Sequence, residues 1–151
     1  MSLLIALHTL AAVIWVGGMF FAYMALRPAA VDVLESGPRS KLWCYTLSRF
    51  LRWVWGCVIV LLVTGYGMIG AFFGGMANVG WHVHVMQGIG LVMMLLFLHT
   101  FFAPYRRLKL AVTAGDYPEA ARRVGQIRRF VGINLILGLI VVAVASGGRY
   151  L

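Results

Sequence analysis

Acidic side chains are almost missing from this chain: four Asp and Glu stand against thirteen Lys and Arg in 151 residues, a formal charge of +9. Charge of either sign is scarce, at 11% of residues against about 25% in an ordinary soluble domain. With 62% hydrophobic residues and a mean hydropathy of +0.92, a water-soluble fold is excluded. Cysteine is limited to Cys44 and Cys57, with no CxxC pair, and Cys57 falls inside an apolar run while Cys44 does not; no disulfide is expected. The ten-residue alternation of a membrane β-barrel is absent too. Excess base can mark a nucleic-acid binder, but no basic face on a soluble fold is visible to carry that role, so no nucleic-acid partner is expected.

What the chain does contain is four long apolar runs, at about 3–26, 53–73, 81–103 and 130–146. Each approaches the roughly 20 residues needed to cross a bilayer as a helix. Helices satisfy their own backbone hydrogen bonds in lipid, so the expected fold is all-α, an integral membrane four-helix bundle forming one domain over 1–151. The first run lacks a charged leader and exceeds a secretory h-region, and it is expected to be a retained helix.

The basic residues are sorted by position. Five lie in 27–52 and seven in 104–129, leaving Arg149, whereas 70–82 carries no formal charge. The positive-inside rule makes 27–52 and 104–129 cytoplasmic loops and places both termini outside, an N-out/C-out topology in a bacterial-type inner membrane. The +9 is thus chiefly a topology signal, with attraction to anionic headgroups as a secondary effect. Within the second basic stretch, Asp116 followed by Pro118 and Glu119 reads as a helix start, so the fourth helix is expected to begin near Tyr117.

All four histidines, His8, His82, His84 and His99, fall in or at the ends of the apolar runs. Ionisable groups in lipid are functional candidates by default. On the expected topology His8, His82 and His84 share the outer leaflet, whereas His99 lies about 22 Å beyond His84 along its helix. Two imidazoles at matched depth on different helices could ligate haem iron, and His8 with His84 is the favoured pair. Trp15 shares the face of His8, and Gly88, one turn beyond His84, leaves room for a flat macrocycle. His82, His99 and Met86 are secondary ligand candidates.

Other readings are open for the same residues. Gly17, Gly18, Gly88 and Gly90 also suit close helix packing. Trp53, Trp55 and Trp81 suit an interfacial aromatic belt. Met19, Met24, Met68, Met76, Met86, Met93 and Met94 supply thioether sulfur that, with imidazole, could hold or pass Cu(I), although methionine is also a common core filler. Asn134 could join a network with His99 or tie two helices together.

The segment Leu7-His8-Thr9-Leu10-Ala11-Ala12-Val13-Ile14-Trp15-Val16-Gly17-Gly18 resembles the opening helix of the CopD family, the copper-resistance membrane domain. Gly80-Trp81 leading to His99, and Arg128-Arg129-Phe130 followed by Asn134, resemble the related HemJ-type proteins, which are linked to protoporphyrinogen oxidation and haem binding. The chain departs from the HemJ pattern at Met86-Gln87-Gly88, where that type has an early third-helix lysine, and at Leu135, where it has an acid. The resemblance gives His8 a ligand-like role and His99 the place of a late third-helix histidine.

The leading expectation is therefore an inner-membrane haem b protein of the CopD/HemJ-like type, engaged in electron transfer or porphyrin-linked redox chemistry through His8 and His84. The alternative is a copper-handling membrane protein that takes up or passes Cu(I). A third is a metal-free structural membrane module. The expected surroundings are the lipid bilayer, a quinone or periplasmic redox partner, and a homo-oligomer.

Overall fold

The computed structural model describes residues 1–148, which fold into four long helices with no strand among them. They are α1 (Ser2–Val33), α2 (Ser36–Phe73), α3 (Trp81–Thr113) and α4 (Tyr117–Gly147), each long and apolar enough to cross a membrane. The all-α four-helix membrane architecture read from the apolar runs is the one found. Arg149, the last basic residue, lies outside the described residues.

Each helix outruns its apolar segment. The basic stretches 27–52 and 104–129 are helical nearly throughout, interrupted only at 34–35 and 114–116. The second interruption is sharp because Gly115 takes φ +71° and Asp116 then caps α4, its side chain accepting the Glu119 N–H at 3.2 Å. Pro118 sits in the first turn, where its missing N–H costs nothing. At the other end of the bundle α2 stops at Gly74 (φ +67°) and Gly75 (φ +123°), conformations closed to most side chains, and Asn78 Nδ2 donates to the Phe73 carbonyl at 3.0 Å.

Two helices contain a widened π turn, and both turns lie beside a proline. In α1 it spans Ala22–Leu26 just before Pro28; in α3 it spans Phe101–Tyr105 and contains Pro104. A proline gives no N–H to the carbonyl four residues back and crowds it, and a wider turn relieves both conflicts while the helix continues.

Packing is closest between α1 and α2 and between α3 and α4. The register of the first pair is set by Gly18, where an added Cβ would strike the Phe50 ring. That contact places Arg49 and Arg52 alongside the apolar run of α1. Both are exposed, and both turn back along α2 towards its basic end: Arg49 Nη1 donates to the Tyr45 carbonyl (3.2 Å) and Arg52 Nε to the Ser48 carbonyl (2.9 Å). This is how a long cation reaches the edge of an apolar layer from a position inside it.

The basic half of the bundle has its core around Val54, Phe97, Tyr105, Leu108, Ala120 and Ile127. The outward faces carry large apolar side chains such as Leu3, Val13, Val63, Leu95 and Ile136, each more than 60% exposed, an arrangement stable only when hydrocarbon rather than water surrounds them. Over Trp81–Thr100, α3 lies against α4 but its backbone stands off from α2. Side chains bridge the gap at two levels: Trp55 meets Phe97 edge-on at 5.2 Å, and nearer the uncharged end Gln87 Nε2 donates to Tyr66 Oη at 2.8 Å. From above the first bridge to beyond the second the bundle is hollow.

Candidate functional site

The hollow is a cavity of about 210 Å³ in the half of the bundle nearer the uncharged 70–82 connection, lined from all four helices. Its walls are apolar apart from a small set of groups. α1 contributes His8 and Trp15, α2 contributes Tyr66 and Met68, and α3 contributes Met86, Gln87, Met93 and Met94. Four of the chain's eight methionines thus line one space together with one imidazole. No Asp, Glu or Cys lines it, and no group of three such residues with His occurs among the described residues.

His8 is held in place by Thr64 of α2, which is buried. The Thr64 hydroxyl donates to the Val60 carbonyl at 2.6 Å and lies 2.8 Å from His8 Nδ1. A hydroxyl has one proton. With that proton committed to Val60, the oxygen accepts from His8, so Nδ1 carries the ring hydrogen and Nε2 presents its lone pair. This is the arrangement by which outer partners prepare a histidine for a metal ion. Gly65 lies beside the same ring: a Cβ there would stand 3.4 Å from His8 Cε1.

The other proposed residues fall in different places. Trp15 is 3% exposed and packs edge-on against Phe97 at 6.2 Å, forming part of the cavity wall on the side of the basic half. Met86 also lines the cavity. His84 and Gly88 do not: both occupy the exposed face of α3, while Gly90 lies on the lining face. The structure therefore does not bring His84 to His8. His82 is half-buried at the uncharged end, edge-on to Trp81 at 6.2 Å, with its Cβ 2.9 Å from where a Cβ on Gly148 would stand. His99 is exposed near the middle of α3, beyond the cavity, and meets Phe130 edge-on at 4.9 Å. Of the four glycines suited to close packing, Gly18 serves it; at Gly17, Gly88 and Gly90 an added Cβ would meet nothing within 4 Å.

Asn134 takes the helix-tying role and not the one with His99. Its Nδ2 donates to the Met93 carbonyl at 3.3 Å, joining α4 to α3 directly behind the methionine pair, and its Oδ1 is buried without a partner. Thr64 is the participant that the sequence did not single out. Its signal was faint: a hydroxyl about as far from the uncharged end of α2 as His8 is from the start of α1.

Comparison with known proteins adds one decisive finding. The model of the copper resistance protein D family, CopD, matches residues 45–147. The chain belongs to the CopD family. It is a multi-pass membrane protein, and its family description concerns copper; of the two metal expectations, copper handling is the one the match favours over haem b. The matched CopD region takes in α3, α4 and most of α2, including Thr64 and the four cavity methionines, and leaves α1 with His8 outside it. No curated protein and no solved structure matches the chain.

Proposed function

We propose that this CopD-family protein handles monovalent copper, taking up or passing Cu(I) through the cavity between its four helices. The observation that carries the reading is the donor set: one imidazole with a free Nε2, and the thioethers of Met68, Met86, Met93 and Met94, on walls that are apolar but for Trp15 and the hydrogen-bonded pair Tyr66 and Gln87. Soft neutral sulfur and imidazole select Cu(I), while harder cations want the carboxylates that this cavity lacks. A single positive charge is also the least costly to bring into such a wall. His8 would be the fixed ligand, positioned by Thr64, and the flexible methionines would follow the ion as it moves.

The sorting of charge supports an orientation in which the uncharged end, and with it the cavity, faces the outside of a bacterial-type inner membrane. The ion would then enter from the outer face. The test is a titration of Cu(I) into the detergent-purified protein against a coloured Cu(I) chelator. One equivalent bound per chain, lost in His8→Ala, is the expected result. Failure to compete for copper, or a Soret band in the spectrum of the purified protein, overturns it.

A further inference from the structure

A second cavity, of about 180 Å³, opens near the basic end between α1, α2 and α4. Arg27, Arg39 and Arg128, one from each of these helices, line it, as do the aromatic rings of Tyr23, Trp43 and Phe50. A topology signal requires only that basic residues lie on one side of the membrane. It does not require three guanidinium groups from three helices around one space.

Burial separates two of these arginines, Arg27 and Arg39, from the rest, while Arg128 is exposed. Among the twelve described basic residues only Arg27, Arg39 and Arg123 are half-buried, and Arg123 is neutralised by Glu119 at 2.6 Å. Arg27 and Arg39 have no carboxylate partner among the described residues, and neither does Arg128; the nearby Asp32 and Glu35 are exposed and make no ion pair there. Arg27 rests over the Tyr23 ring at 5.1 Å, and Arg39 Nη1 donates to the Leu34 carbonyl at 3.4 Å. Most of the N–H donors of both therefore stay free beside a buried serine, Ser40. Half-burying two like charges without an anion is unfavourable.

The shape of the space identifies the anion. Along α4 the lining runs from Ala121 to Val131, about 15 Å of helix. Arg27 and Arg128 stand at the limits of the first and fourth apolar runs, whereas Phe50 and Val131 reach into the apolar layer. We infer that this cavity binds an anionic phospholipid, its phosphate held by Arg27, Arg39 and Arg128 and its upper acyl chain laid against Phe50 and Val131. Arginine matches a phosphate through paired N–H donors. A free phosphate ion would satisfy the guanidinium groups but leave the apolar part of the cavity uncovered.

The experiment is native mass spectrometry of the full chain in a neutral detergent with added dioleoyl phosphatidylglycerol, dioleoyl phosphatidylcholine or inorganic phosphate. One phosphatidylglycerol retained per chain is expected, with affinity reduced about tenfold in Arg39→Gln and unchanged in the exposed pair Arg106→Gln/Arg107→Gln. As a readout that needs no variant, the thermal midpoint of the unmodified protein should rise with phosphatidylglycerol and not with phosphatidylcholine. Equal retention of the two lipids, equal loss in the exposed double variant, or displacement of the lipid by millimolar inorganic phosphate overturns the proposal.

Discussion

Thr64 accepts the Nδ1 proton of His8 at 2.8 Å while donating its own to Val60, so a hydroxyl on one helix fixes the tautomer of an imidazole on another. Thr64→Val keeps the shape and removes that acceptor. The expected result is a Cu(I) affinity weakened about tenfold, the usual scale for an outer partner of a metal-binding histidine. His8→Ala should abolish binding in the same competitive titration, and a Thr64→Ser variant should retain it. Unchanged affinity in Thr64→Val would remove the hydroxyl from the site.

The faces of α3 give a sharper contrast. Met86 lines the cavity and His84, two residues away, is on the exposed face. Met86→Leu preserves volume and removes sulfur, and it should weaken Cu(I) binding. His84→Ala should leave the affinity within about twofold, since residues without shared partners act independently. A large loss from His84→Ala alone would restore that histidine to the ligand set.

Close packing at Gly18 makes a stability prediction. Gly18→Leu drives a side chain into the Phe50 ring, and overpacking of this kind costs about 2 kcal/mol. The thermal unfolding midpoint in detergent should fall accordingly, while Gly17→Leu, where nothing lies within 4 Å, should leave it nearly unchanged. If both substitutions behave alike, the α1–α2 register described above is wrong.

Asn134 should matter much less for stability than its burial suggests. It is 5% exposed, but its one hydrogen bond is long and its Oδ1 has no partner. Asn134→Leu therefore exchanges a bond worth about 0.6 kcal/mol in membrane helices for a better-solvated apolar side chain. The midpoint should move by no more than one or two degrees, and a collapse of the fold would show that Oδ1 has a role the geometry does not reveal.

Orientation is tested by a reporter fused after Leu151. Activity confined to the outer compartment is expected from the charge sorting. A cytoplasmic signal would place the cavity at the inner face and reverse the direction of copper entry.

The helices were legible because their apolar runs are long and their connections are short or marked, as at Asp116. His8, Trp15, Met86 and the methionine pair Met93 and Met94 were legible as soft or polar groups in apolar surroundings. The face occupied by His84 was not. In a soluble helix a polar stripe marks the outside, but over Trp81–Leu98 the few polar side chains of α3, His82, His84 and Gln87, form no single stripe among apolar residues, because lipid and bundle interior make the same demand on side chains. Facing is then decided by packing, which a single sequence does not display. Thr64 was hidden for a related reason: a hydroxyl bonded to the carbonyl four residues back costs a membrane helix little, and it looks the same whether or not a histidine lies opposite.

Trp55 meets Phe97, Phe101 and Phe102 of α3, all edge-on, at 5.2, 5.6 and 6.3 Å. Phe97 precedes the widened turn and Phe101 and Phe102 begin it, so the indole spans the junction where the regular helix gives way to the wider one. That turn sets every later residue behind the phase that a regular α count would give. It therefore works as a phase shifter in the helix: the face presented below Pro104 is not the one that a count from Trp81 would give. Deleting a single residue from that turn would leave a regular helix with nearly the same faces on either side of Pro104, whereas the same deletion in a regular turn of α3 would rotate its basic end by about 100° relative to its cavity-bearing end.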